Sequence, residues 1–141
     1  MNNDYSIQEL MIVEASRYIK NREVCFIGTG LPMLAAYLAK LTHAPEISLI
    51  FESGIIGPEP TDDLASGVAD LRLLSKCKMP SNLFYALSLL QGGYVDLGFL
   101  GAAEIDKYGN INSTVIGACK DPIVRLPGSG GANDIGSLAN R

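Results

Sequence analysis

A lone carboxylate stands at the end of an apolar run: Ile47-Ser48-Leu49-Ile50-Phe51 leads directly into Glu52-Ser53-Gly54. Residues this apolar mark a buried strand, and a charge at its carboxyl end is costly unless a partner or a reaction uses it. Two glycine motifs flank Glu52 in sequence, Gly28-Thr29-Gly30 upstream and Gly128-Ser129-Gly130-Gly131-Ala132-Asn133 far downstream. Glycine is the residue least stabilising to an ordered loop, so the dense second motif implies positive φ angles or the close approach of a ligand. Successive amides in such a turn form a nest for an anion or a developing oxyanion. The plain alternative is a flexible loop, but Asn133-Asp134, placed to cap a following helix, favours an ordered turn. The combination is that of a carboxylate nucleophile beside a backbone-built anion site.

A rival chemistry uses the same residues. Gly28-Thr29-Gly30 follows a strand and opens a helix, and Glu52 ends the next strand, where a ribose-binding acid belongs in a dinucleotide-binding oxidoreductase domain. The third glycine of that fingerprint is replaced by Met33, and Pro32 intrudes in the turn. A tight strand-to-helix turn explains the motif without a cofactor. His43, the only histidine, lies in a helix-to-strand connection and reads as a capping or surface residue, which leaves a Ser-His-Asp mechanism without support. Asp62, Asp63 and Asp70 read as solvated loop charges or caps, with an ion pair available within Asp70-Leu71-Arg72. Arg72 and Arg125 could each bind a carboxylate or phosphate, but nothing in the sequence singles them out. Glu104 and Asn112 are polar residues beside apolar strand positions and have no structural assignment.

The elements that must position Glu52 are legible from periodicity and caps. Ser6-Ile7-Gln8-Glu9 is a capping box opening a helix to about Lys20. Val24–Ile27 is a short buried strand, Pro32 suits the first turn of a helix reaching Leu41, and Ile47–Phe51 is a second strand. Together they form a β-α-β unit, hence a parallel pair. Residues 53–63, rich in glycine and proline, are expected to form no regular element and to overhang the strand end as active-site loops do. Ser81 is placed to cap a helix through Leu90 to Gly92-Gly93. Val95–Leu100 and Ile111–Ile116 read as further strands, with Asp106–Asn110 supplying hairpin turn chemistry before the second. No repeat, linker or low-complexity segment interrupts this, so residues 1–141 read as one α/β domain with an open, mainly parallel sheet and flanking helices. The last eight residues, 134–141, are expected to be too short to form and cover another element, and the sequence reads as cut.

Composition narrows the partners. The chain has 141 residues, 48% hydrophobic and 18% charged, which is apolar for a lone domain and points to a surface hidden against another chain. A net charge of −4 with no basic stripe argues against nucleic acid. No apolar run approaches the length of a membrane span, and the start lacks the basic region of a signal peptide. Cys25, Cys77 and Cys119 are widely spaced without a CxxC motif and read as reduced cytoplasmic thiols, with Cys25 an apolar filler within its strand. No cluster of metal ligands is apparent.

Glu52-Ser53-Gly54 after a buried strand, Gly101–Thr114 and Gly128–Asn133, in this order and spacing, resemble family I coenzyme A transferases. The pattern is nearest the B-subunit type of glutaconate CoA-transferase. Gly28–Pro32 and Tyr108–Thr114 carry the resemblance as well, and it covers essentially the whole chain. It implies a fold of the NagB/RpiA kind without its C-terminal part, an A-type (alpha) subunit as partner, acyl-CoA and a carboxylic acid as substrates, and no cofactor, with coenzyme A itself a substrate. Carried over by position, Glu52 is the catalytic glutamate and Gly130 and Gly131 supply oxyanion-hole amides. Gly28, Ser53, Gly54, Glu104 and Asn112 fall at substrate-binding positions, Glu104 where relatives often carry glutamine. Same-fold acyl-CoA hydrolases and decarboxylases typically have another residue at the glutamate position, and a non-catalytic partner chain is a further alternative.

Overall fold

The computed structural model describes residues 4–28, 30–61 and 65–141; Thr29, Asp62 and Asp63 lie outside them. Helix α1 (Ile7–Arg17) starts at the expected capping box, in which Ser6 accepts from the Glu9 amide and the Glu9 carboxylate accepts from the Ser6 amide. Strand β1 (Val24–Ile27), helix α2 (Leu31–Leu41) and strand β2 (Ser48–Phe51) follow. β1 and β2 pair in parallel, with Cys25 opposite Leu49 and Ile27 opposite Phe51. α2 begins with proline in its first turn, where the missing amide costs nothing.

Strand β3 (Ile55–Ile56) corrects the expectation that residues 53–63 hold no regular element. Gly54 and Gly57 both take positive φ, which lets the chain reverse so that Ile56 pairs with Ile50 antiparallel. After a 3-10 turn at Leu71–Leu74, strand β4 (Met79–Pro80) pairs with β3. Strand β5 (Leu97–Phe99) lies parallel to β1 on the other side, giving the order β4-β3-β2-β1-β5. The three principal strands are therefore parallel, and two short antiparallel strands extend one edge.

Alternation along β1 and β2 builds two cores. Cys25, Ile27, Leu49 and Phe51 face α2 with Met33, Ala36 and Tyr37. Phe26 and Ile50 face the opposite way, toward Ala86 and Leu90 of α3 (Leu83–Gln91) and Ile135 of α4 (Ala132–Leu138). The sheet is thus covered on both faces, as nearly continuous apolar strands require. The α3 cap is Asn82, whose side chain accepts from the Tyr85 amide, and not the expected Ser81. Ser81 instead donates its backbone amide to the Gly54 carbonyl at 2.9 Å, extending the β3–β4 connection.

Helix α4 corrects the expectation that residues 134–141 build nothing. A Cβ on Gly98 of β5 would lie 2.5 Å from Ile135 Cγ2, so the absent side chain opens the seat that Ile135 fills. Gly131, with no side-chain cap, occupies the cap position expected of Asn133-Asp134, both of which fall within the first turn. The expected strand over Ile111–Ile116 is two strands, β7 (Ile111–Asn112) and β8 (Val115–Ala118), broken at Ser113-Thr114. β7 closes a hairpin with β6 (Glu104–Ile105), as the turn chemistry predicts, with Asp106 accepting from the Tyr108 and Asn110 amides. β8 closes a second hairpin with β9 (Asp121–Arg125).

Candidate active site

Glu52 leaves the carboxyl end of β2 half-buried, and its carboxylate meets the glycine loop. The Gly131 N–H donates to Glu52 Oε1 at 3.1 Å. A Cβ on Gly131 would stand 3.1 Å from Oε1 and 3.2 Å from Cδ. At φ −81° the Gly131 backbone needs no glycine; the space beside the carboxylate does. Gly130 is the reverse case: a Cβ there would stay 3.5 Å from Oε1, but φ +50° places the backbone in the left-handed region. The two glycines thus have different physical reasons.

Glu52 and Gly130 line a cleft of about 350 Å³ whose walls also include Phe26, Gly28, Leu100, Ser113 and Ser129. Gly28 is fixed by donating its N–H to the Phe99 carbonyl at 3.0 Å, and a Cβ there would come 3.3 Å from the same oxygen. The structure therefore joins three sequence segments at one cleft: the β1 exit, the β2 exit and the glycine loop. Ser113 and Ser129 were not singled out by sequence reasoning. Ser129 lies inside the glycine motif and Ser113 at the break between two strands, a break that no periodicity marks.

The other expected substrate contacts do not reach this cleft. Ser53 Oγ donates to the Val68 carbonyl. Gly54 is buried against Asn82, whose backbone would lie 2.3 Å from a Cβ on Gly54, so this glycine serves chain packing. Asn112 and Glu104 face each other across the β6–β7 hairpin, with Asn112 Nδ2 donating to Glu104 Oε2 at 2.7 Å. Asn112 also donates to the Val115 carbonyl and accepts from the Thr114 and Val115 amides. That saturates the amide and leaves nothing for a substrate. Glu104 lines a neighbouring hollow with Met11, Leu31, Pro32, Phe99 and Leu100, and Leu100 and Gly101 border both spaces.

The remaining polar candidates are structural. His43 Nε2 meets the Ile19 carbonyl at 3.1 Å and Nδ1 meets Thr42 Oγ1, the capping role expected. Asp70 pairs with Arg72 at 2.6 Å; the Arg72 side chain, aided by the Ser66 amide, holds its carboxyl far below the usual carboxylate range. Arg125 lies exposed at the end of β9 and is not among the residues lining the cleft. Cys25 is fully buried, and burial, with Glu23 and Asp96 nearby, pushes its thiol up to about 12. Among the described residues no helix is long and apolar enough to cross a membrane, and no cluster of three metal-ligating side chains occurs.

Known proteins resemble this chain in sequence and fold. The chain is 49% identical over 136 residues to the B subunit of 3-oxoadipate CoA-transferase from Pseudomonas knackmussii, covering 96% of the chain and 52% of that protein. It is 37% identical to the B subunit of glutaconate CoA-transferase from Acidaminococcus fermentans, over 97% of the chain and 53% of the relative. The crystal structure of glutaconate coenzyme A-transferase from the same organism superposes with a TM-score of 0.88 at 36% identity, covering 96% of this chain and 54% of that one. The decarboxylase AibA/AibB superposes with a TM-score of 0.84 at 28% identity, covering 98% and 58%. The chain spans about half the length of the curated relatives it matches. A family model described as coenzyme A transferase matches residues 8–141, nearly all of the chain that carries the Glu52 cleft, and the protein belongs to the coenzyme A transferase family.

Proposed function

We propose that this chain carries the nucleophile of a CoA-transferase of the two-subunit kind, moving coenzyme A between an acyl-CoA and a free carboxylic acid through a thioester on Glu52. The observation that carries the reading is the hydrogen bond from the Gly131 N–H to Glu52 Oε1, beside the cleft that Glu52 and Gly130 line.

The Glu52 carboxylate attacks the acyl-CoA thioester carbonyl. The tetrahedral intermediate collapses by breaking the carbon–sulfur bond, giving a glutamyl-acyl anhydride and CoA thiolate. The thiolate then attacks the glutamyl carbonyl carbon. Negative charge develops on the glutamyl oxygen at that step, and Oε1 already faces the Gly131 amide. Collapse releases the first carboxylate and leaves glutamyl-CoA thioester. A second carboxylate reverses both steps, so CoA is conserved and neither water nor a redox partner is consumed. A carboxylate is a weak nucleophile, and the partial burial of Glu52 together with a preorganised amide is the activation such chemistry needs.

The relatives named for 3-oxoadipate and glutaconate both act, by those names, on dicarboxylic acids, which favours a dicarboxylate as one substrate here. Both are B subunits, which favours an A-type partner. Large apolar side chains left open agree with it: Phe84 and Ile123 are each 82% exposed. Incubating the assembled protein with acyl-CoA and then borohydride should reduce the thioester and inactivate the enzyme, with peptide mass analysis placing the alcohol at residue 52. Full activity after this treatment sinks the covalent mechanism. Net release of CO₂ or of free CoA without an acceptor acid would place the chain with decarboxylases or hydrolases of the same fold.

A further inference from the structure

The Glu52–Gly131 hydrogen bond depends on where the glycine loop sits, and that loop is tethered at a distance. The Gly128 N–H donates to the Ser113 carbonyl at 2.8 Å, and the Leu126 N–H donates to the Thr114 carbonyl at 3.0 Å. The approach to the loop is therefore set by the Ser113-Thr114 break between β7 and β8. The shape of that break is set by one side chain. Asn112 Oδ1 accepts from the Thr114 N–H at 3.0 Å and the Val115 N–H at 3.4 Å, while Nδ2 donates to the Val115 carbonyl at 2.8 Å. These contacts curl residues 112–115 into an Asx-type turn and aim the Ser113 and Thr114 carbonyls at the loop. The second Nδ2 hydrogen goes to Glu104 Oε2 at 2.7 Å. Turning the amide over would set its oxygen against a carboxylate and a carbonyl, so Glu104 fixes its orientation.

We infer that Asn112, oriented by Glu104, is a positioning residue for the glycine loop and so for the amide that faces Glu52. Glu104 and Asn112 act on the cleft from outside it. The catalytic consequence rests on the functional reading above; the positional one does not.

The test is Asn112→Asp, which keeps an acceptor for Thr114 and Val115, removes both donors, and sets a carboxylate against Glu104 and the Val115 carbonyl. Amide hydrogen exchange at Leu126, Gly128 and Gly131 should quicken about tenfold, the equivalent of one lost hydrogen bond, while Phe26 and Ile27 in β1 keep their protection. In the assembled enzyme kcat should fall about tenfold or more, as small misplacements of reacting groups do, with KM for acyl-CoA little changed. Adding Glu104→Gln to Asn112→Asp should return part of both effects, because the glutamine amide can donate to the new carboxylate. Unchanged exchange at Gly128 and Gly131 overturns the inference, as does an equal rise in β1, which means general loosening. If the wild-type assembly transfers no CoA, the functional reading fails while the exchange comparison still decides the role of Asn112.

Discussion

Glu52 and Gly131 are 79 positions apart in sequence and meet through one hydrogen bond of 3.1 Å. Its two ends have different origins. Glu52 is carried by a strand buried on both faces, whereas Gly131 is carried by a loop that opens a short helix and is seated by Ile135. A rigid sheet therefore presents the carboxylate, and a separately tethered loop presents the amide.

Gly131→Ala separates the proposed oxyanion role from backbone strain. At φ −81° alanine fits the backbone, but its Cβ would crowd Oε1 and Cδ and push the carboxylate off the amide. Turnover should drop by about 10²–10³, the usual loss of one oxyanion donor, with the melting temperature nearly unchanged. Gly130→Ala should do the opposite, because its φ of +50° makes an L side chain cost about 1–2 kcal/mol in stability. A matching fall in melting temperature for both variants would mean that the glycines serve only the backbone.

Glu52→Asp tests the reach of the proposed nucleophile. The aspartate would keep the charge but withdraw the attacking oxygen by about 1 Å, a displacement that costs on the order of 100-fold, and it would break the Gly131 hydrogen bond. Activity should fall to a trace and the borohydride-sensitive intermediate should cease to accumulate. Turnover within a few-fold of wild type in the assembled enzyme would argue that Glu52 acts by charge alone.

The parts of this fold with strong local signals are legible in the sequence. The Ser6–Glu9 box, Pro32 in the first turn of α2, the apolar runs of β1 and β2, and the Asp106–Asn110 turn each carry their own physical reason. Elements that exist only through tertiary partners are not. β3 and β4 have two residues each, too few for any period, and are held by pairing to β2 and to each other. α4 contains Gly136 and Ser137, poor helix formers, and owes its place to Ile135 against Gly98. The same division runs through the site. Glu52, Gly28, Gly130 and Gly131 stand out by residue type, whereas Ser113 lines the cleft from a turn closed by the Asn112 side chain, which no residue type announces. Ser53 and Gly54 fall outside the cleft lining because the chain that follows Glu52 reverses direction at a tight turn.

The α3 cap gives a direct check on the N-terminal boundary of that helix. Asn82 accepts from the Tyr85 amide at 2.9 Å, so Asn82→Ala should lose about 1 kcal/mol, within the usual range for a cap. Ser81→Ala should be nearly neutral, since its contribution there is a backbone amide. Chemical denaturation of both variants measures the difference. Equal losses would return the cap to Ser81.

Cysteine chemistry should divide by burial. Cys119 is exposed and Cys25 fully buried in β1, so a thiol reagent near pH 8 should modify Cys119 in the native protein and leave Cys25 untouched until unfolding. The raised Cys25 value also sets the sign of an alkaline effect on stability. Burial, the largest cause, and the charges of Glu23 and Asp96 push the native thiol from an ordinary value of 9.0 up to about 12. The unfolded chain releases this proton first, so the neutral thiol favours the fold fully below pH 9 and loses that advantage progressively as pH rises toward 12. Cys25→Ala removes this titration along with some packing. Its unfolding free energy should be lower than wild type at pH 7, and the gap should narrow between pH 9 and 11. A constant gap over that range would show that Cys25 ionises as easily in the folded protein as in the unfolded chain.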